Sequence, residues 1–280
     1  MRLKIMEWNI HQQGRQYKNR RSQDGKIPLW IVDEIPKDVN VVVFTEFNSH
    51  AKNVQQFYNL LVAKNFFYST TSYSCAWAND ILIAVRGKDI EVKSTSYVKS
   101  YSDVPNTTFN IDWDSIPENL RLDIQVGNKS IYLWGVRIKD LGSDYVKRKV
   151  EMETIMNWLQ EIGGISILVG DFNNLRENTP EPNWNLKVLD ALLGTAFKRV
   201  TPESNHSWGV SLLESNNSFD GFIKNDHLIC SNEISATAEP YKWEYLQHCN
   251  YDLEEPCCNK QKLNIPVGEP DHGILIVEVE

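Results

Sequence analysis

Ile167-Leu168-Val169-Gly170-Asp171-Phe172-Asn173 is the stretch on which the reading of this chain turns. An apolar run and a glycine lead straight into an acid and, two positions on, an amide. Residues i and i+2 of an extended chain project to one side. Asp171 and Asn173 can therefore address one water molecule, or close a turn onto their own backbone. The arrangement recurs through the chain. The run Leu3–Trp8 leads into Asn9, Val39–Thr45 leads into Glu46, and Asp226 precedes His227–Ser231. Near the end, Pro270-Asp271-His272-Gly273 opens Ile274–Glu278. Polar side chains at the ends of short apolar runs can meet on one rim of a sheet.

Further apolar runs at Ile81–Val85, Arg121–Val126, Ser130–Val136 and Ile165–Val169 have strand composition. Gly127-Asn128-Lys129 between two of them reads as a hairpin loop. Helices are expected at Pro28–Ile35, Val54–Lys64, Asp144–Ile162 and Trp184–Leu193. The third has Val146, Val150, Met152, Ile155, Met156 and Leu159 on one stripe, with Lys147-Arg148-Lys149 mostly opposite, and Gly163-Gly164 ends it. Strand pairs with helices at intervals predict an α/β fold with two mixed sheets face to face and helices outside, a four-layer αββα sandwich. No repeat, low-complexity tract or linker divides residues 1–280, so a single domain is expected. Residues 232–269 read as a long irregular connection.

With 280 residues, 41% hydrophobic and nine Trp, the chain can fill the space between two sheets. A formal charge of −8 argues against a protein that coats nucleic acid along its length. It leaves room for local contact with a polyanion. Residues 15–26 carry Arg15, Lys18, Arg20, Arg21 and Lys26 against Asp24, and follow Asn9 closely. They are either a solvated loop or a clamp for phosphates. No run is long and apolar enough to span a bilayer, and Met1–Asn9 reads as a strand rather than a signal peptide. A cytoplasmic protein without membrane insertion is expected, and the sequence points to no protein partner. The five cysteines form no disulfide framework. His248-Cys249 with Cys257-Cys258 lacks the usual zinc spacing, so reduced loop thiols are expected. Trp208 reads as a core residue more readily than as a base-stacking platform.

Oxygen ligands with one imidazole suit a hard divalent cation holding a phosphate. Taken in order, Trp8-Asn9, Thr45-Glu46-Phe47, Gly170-Asp171-Phe172-Asn173, Asp226-His227-Leu228-Ile229-Cys230-Ser231 and Pro270-Asp271-His272 resemble the endonuclease/exonuclease/phosphatase superfamily. That superfamily includes pancreatic-type deoxyribonuclease, abasic-site endonucleases, sphingomyelinases and inositol polyphosphate 5-phosphatases. The resemblance spans nearly the whole chain. It implies Mg²⁺, or Mn²⁺ in its place, with Glu46 as principal ligand, Asn9 beside it and Asp271 near the metal. It further implies that Asp171 deprotonates the attacking water, Asn173 holds that water or a phosphate oxygen, and His272, oriented and kept charged by Asp226, contacts the phosphate.

One departure stands out. Many members carry Asn-x-His-Leu on a central strand, where this chain has Gly135-Val136-Arg137-Ile138. Arginine does not give up its proton at working pH. Arg137 can instead grip phosphate as a fork of donors, or pair with Asp140 or Asp144. Arg15 and Arg137 are accordingly the candidate substrate contacts. The expected substrate is a phosphodiester in DNA or RNA. The alternatives are a small phosphorylated molecule, a lipid headgroup, or binding without catalysis.

Overall fold

A computed structural model describes residues 2–11, 25–72, 79–97, 116–139, 145–173, 184–203, 206–208, 223–248, 252–257, 260–264 and 270–280. The chain begins with β1 (Leu3–Asn9), β2 (Val41–Phe47), α1 (Val54–Ala63), β3 (Tyr68–Thr71), β4 (Asp80–Val85) and β5 (Ile90–Ser96). It continues with β6 (Glu118–Val126), β7 (Lys129–Arg137), α2 (Tyr145–Ile162), β8 (Ile165–Asp171), α3 (Trp184–Leu192) and β9 (Phe197–Val200). It closes with β10 (Asp226–Ser231), β11 (Ala236–Ala238), β12 (Asp252–Cys257), β13 (Lys260–Asn264) and β14 (Leu275–Val279).

Two six-stranded mixed sheets result, in the orders β11-β14-β1-β2-β4-β3 and β5-β6-β7-β8-β10-β9. Each holds one parallel pair at its centre, β1 with β2 and β7 with β8. Alternation then sorts the side chains by face. Leu3 and Ile5 of β1, Val41 and Val43 of β2, and Leu133, Ile167, Val169 and Leu228 from the other sheet fill the space between the sheets. Met6, Trp8, Val42 and Phe44 face outward, where Phe57 and Leu61 of α1, one helical turn apart, cover them. Met152, Ile155, Met156 and Leu159 of α2 and Leu189 of α3 cover the other outer face. These are the four layers the sequence predicts.

A glycine permits the sheets to approach closely at one point. A Cβ on Gly135 would lie 2.7 Å from Ile81 Cγ2 and 3.0 Å from Val43 Cγ1, both from the opposite sheet. Within sheet two, a Cβ on Gly170 would lie 1.8 Å from the Val136 carbonyl oxygen. Only glycine lets β8 run beside β7 there.

Several local expectations change. Pro28–Ile35 contains a 3-10 turn at Leu29–Val32 rather than a helix. Residues 232–269 are not irregular throughout, because they hold β11, a 3-10 turn at Glu244–His248 and the β12–β13 hairpin. On α2, Val146 is exposed and Arg148 is fully buried, the reverse of the predicted stripe. Trp208 is half-buried and bridges to the His272 backbone. Arg15 and, among the cysteines, Cys75, Cys249 and Cys258 lie outside the described residues. Among the described residues, no helix is long and apolar enough to cross a membrane.

Candidate active site

Three polar residues form a row on the inner face of sheet two. Asp171 ends β8 and stands in register with Arg137 of the parallel β7 and with Asp226 of the antiparallel β10. All three follow the alternation that placed Leu133, Val169 and Leu228 in the core, so at this end of the sandwich the inner face becomes polar. His227, next to Asp226, points to the outer face against Phe172, with Asn185 and Thr201 at its ring nitrogens.

The facing row belongs to sheet one. Asn9 continues the inward face of Leu3, Ile5 and Glu7, and reaches across to donate to Asp171 Oδ2 at 2.9 Å and Glu46 Oε1 at 3.3 Å. Glu46 needs a special device. By alternation it would follow Val42 and Phe44 outward. Instead, the register against β4 shifts between Phe44 and Phe47, and Glu46 adopts φ +50°. This bulge spends one extra residue. It turns Glu46 inward and returns Phe47 to the outer core.

Glu46 meets Arg137 across the gap between the sheets. Arg137 Nη2 and Nε donate to Glu46 Oε1 at 2.6 and 3.0 Å, and Nε lies 3.7 Å from Asp171 Oδ2. Both side chains are almost fully buried. Burial opposes charge on Glu46. The positive charge of Arg137, helped by His11, His272 and the Asn9 hydrogen bond, nevertheless holds its carboxyl down at about 2. Arg137 is therefore paired with two site carboxylates of the facing rows. Asp140 and Asp144, the partners weighed from sequence, lie outside the described residues.

Asn173 follows Asp171 with φ +27°. Its backbone N–H donates to Asp171 Oδ1 at 2.8 Å, and its Nδ2 donates to Asp171 Oδ2 at 2.9 Å and to the Ile138 carbonyl at 2.8 Å. This is the turn in which Asp171 and the backbone close on each other. Burial pushes the Asp171 carboxyl up to about 6, with the charge of Asp226 adding and those of His272 and Arg137 opposing. A carboxylate tuned there can accept a proton near neutrality.

His272 closes the site. Its Nδ1 lies 2.8 Å from Asp226 Oδ2. Its backbone carbonyl accepts from Trp8 Nε1 at 2.9 Å and Tyr245 Oη at 2.8 Å. Gly273 lies flat against the Trp243 ring, which a Cβ would meet at 2.8 Å, and its N–H donates to Ser207 O. Burial opposes a charged imidazole, but Asp226, with Asp271 and Asp171 behind it, raises His272 to about 10. The Asp271 Oδ1 atom lies 3.8 Å from His272 Nε2 and 3.9 Å from His11 Nδ1.

The structure thus brings together Asn9, Glu46, Arg137, Asp171, Asn173, Asp226, Asp271 and His272. It also adds Glu7, a buried carboxyl accepting from Thr45 Oγ1 at 3.3 Å. Burial first, then Asp226 and Asp171, raises Glu7 well above the usual carboxylate range. Its signal lay in the sequence, since Glu7 and Asn9 are two apart and share a face.

The donor set can be tested against a hard cation. Among the described residues, Glu46 Oε2 and Asp271 Oδ1 are buried oxygens with no hydrogen-bond partner. Arg137 occupies only the other Glu46 oxygen. Atoms of Asp171, Asp226 and His272 also lie within 4.8 Å of one another. An imidazole kept charged has no lone pair to offer, so Glu46 is the better anchor. Asn9 turns its NH₂ toward the carboxylates and its Oδ1 toward the His11 N–H at 2.9 Å. In this arrangement it bridges Glu46 and Asp171.

The sequence matches no protein-family model and no curated protein. Solved structures do match in fold. An endonuclease/exonuclease/phosphatase family protein from Bacteroides thetaiotaomicron has a TM-score of 0.62 at 12% identity, covering 100% of this chain and 97% of that one. A mannosyl-6-phosphatase from the same organism has 0.60 at 11%, covering 99% of each chain. D. rerio TDP2 in complex with a single-strand DNA product has 0.58 at 13%, covering 100% of this chain and 99% of that one. The chain has the fold of the endonuclease/exonuclease/phosphatase superfamily.

Proposed function

We propose that this protein is a phosphoester hydrolase that works with a bound divalent cation, Mg²⁺ or Mn²⁺. The observation that carries the reading is the facing pair of rows. Arg137, Asp171 and Asp226 lie on one sheet, Asn9 and Glu46 lie on the other, and His272 sits between the ends. Glu46 would hold the cation through Oε2, with Asp271 supplying a further oxygen that accepts no hydrogen bond among the described residues. When bound, the ion would neutralise charge on the phosphate oxygens.

The chain's own residues then divide the work. Asp171, which titrates near 6, takes the proton of the attacking water, while the Asn173 amide keeps that carboxylate turned toward the gap. His272, held charged by Asp226, donates to a non-bridging phosphate oxygen and stabilises the negative charge that builds there. Arg137 does not serve as a proton donor. It fixes Glu46 and adds positive charge to the floor of the site.

A nucleic-acid phosphodiester is the first substrate class, supported by the basic stretch 15–26. A sugar or inositol phosphate is the rival, supported by the fold shared with a mannosyl-6-phosphatase. Purified protein with Mg²⁺ or Mn²⁺ should hydrolyse a bis-aryl phosphate. Comparing single-stranded and abasic DNA with sugar and inositol phosphates decides the class. Asp171→Ala should abolish turnover, a loss of more than ~10³-fold, with an unchanged circular dichroism spectrum. Failure of the wild-type protein on every phosphoester with both metals overturns the reading.

A further inference from the structure

Helix α2 buries two ionisable side chains that the chemistry above does not use. Arg148 and Glu151 are both fully buried, one helical turn apart. A carboxyl removed from water needs strong partners. Glu151 Oε2 accepts from the backbone N–H of Lys139 at 2.7 Å, and Lys139 Nζ lies 3.7 Å from Oε1. The Lys139 N–H belongs to the same peptide group as the Ile138 carbonyl, and that carbonyl accepts from Asn173 Nδ2. One planar peptide unit therefore carries a contact to Glu151 on one edge and to Asn173 on the other. Asn173 in turn holds Asp171. The preceding peptide, joining Arg137 to Ile138, is held as well, since Ile138 N–H donates to the Asp171 carbonyl at 2.9 Å. Arg148 Nη1 adds a longer contact, 3.5 Å, to the Asn173 carbonyl.

We propose that Glu151 is a positioning residue for hydrolysis: through the Ile138–Lys139 peptide it fixes Asn173, and through Asn173 the orientation of Asp171. The inference rests on the hydrolytic role of Asp171. It reaches beyond the resemblance, which assigns nothing on α2. A carboxyl serving only to solubilise α2 would point outward, as Glu161 does. Burial pushes Glu151 up to about 7, so the neutral acid shares this position near pH 7 and glutamine is a close mimic of it.

The test compares Glu151→Leu with Glu151→Gln. On a bis-aryl phosphate with Mg²⁺, the leucine variant should lose kcat by about 10–100-fold, in line with outer residues that orient reacting groups. Its KM should stay within about threefold of wild type. The glutamine variant should keep kcat within about threefold, because it retains an acceptor for Lys139 N–H. A second readout needs no activity. The side-chain amide protons of Asn173, followed by NMR, should exchange about tenfold faster in the leucine variant and at the wild-type rate in the glutamine variant. If the leucine variant does not fold, Glu151→Asp, one methylene short of Lys139, replaces it with the same expectations. Unchanged Asn173 exchange with unchanged kcat in the leucine variant overturns the proposal. Should wild type show no hydrolysis, the functional reading fails by itself, and the exchange comparison still decides whether Glu151 holds Asn173.

Discussion

Replacing Arg137 with methionine removes the fork of donors from Glu46 while keeping most of the volume. Glu46 would then be a buried carboxylate facing Asn9 and an unfilled gap. Its carboxyl is held at about 2 against an ordinary value of 4.5. At 1.36 kcal/mol per pH unit, that difference corresponds to roughly 3 kcal/mol favouring the ionised folded form. Breaking a buried pair from one side costs about 3–5 kcal/mol by comparison with other proteins. The two figures agree in scale. The sign with pH is also fixed. In wild type the contribution is complete above 4.5, the unfolded value, and is lost as pH falls through about 2. In Arg137→Met, burial acts on Glu46 with its main opponent gone, so protonation relieves the variant. Its deficit should be about 3 kcal/mol at pH 7 and shrink as pH falls toward 4. Urea unfolding followed by tryptophan fluorescence, with chelator present, measures both values. In a double-mutant cycle, Glu46→Gln should recover roughly 2 kcal/mol in the Arg137→Met background. A variant within ~0.5 kcal/mol of wild type at pH 7, or a coupling that small, refutes the argument.

Two further outcomes follow from the geometry. His272 is raised to about 10 chiefly against burial by Asp226, so its stabilising contribution is complete below 6.5 and is lost as pH rises through about 10. Imidazole NMR should find His272 charged at pH 8, and Asp226→Asn should leave it neutral there; a His272 that titrates near 6.5 in both proteins contradicts the assignment. Gly135→Asn puts back the amide of the related Asn-x-His-Leu pattern, but its Cβ would meet Ile81 at 2.7 Å and Val43 at 3.0 Å. The expected loss, measured by urea unfolding, is about 1–3 kcal/mol, and a neutral or stabilising effect shows that the sheets can part at that point.

Much of this molecule is written in period-two alternation. The central strands carry unbroken apolar runs, and their polar ends mark the rim, so Asn9, Asp171, Asp226 and His272 could be placed from sequence. The edge strands could not. In β5 only Ile90 is buried, and Lys93, Ser94 and Thr95 are exposed. An edge strand of that kind has no apolar signature to read. Arg148 and Glu151 were missed for the opposite reason. Charged residues on a helix normally mark its solvent face, whereas here the Asn173 carbonyl and Lys139 N–H, brought in by other elements, help make their burial tolerable.

Glu46 exposes a deeper limit. Strict alternation would send its side chain into the outer core among Phe44 and Phe57, where a carboxylate is untenable. The chain resolves the conflict with one extra residue and a left-handed φ, which no local composition announces. Its partner Arg137 lies 91 residues away on the other sheet. The two departures at 135 and 137 then make sense as one change. Glycine at 135 draws the sheets together over Ile81 and Val43. Two residues further along the same face, an arginine spans what remains of the gap and lands on Glu46. A neutral histidine at 137 would leave that buried carboxylate without its nearest cation. The bulge, the glycine and the arginine therefore stand or fall together, and a chain keeping Arg137 while losing Glu46 should bury an uncompensated guanidinium instead.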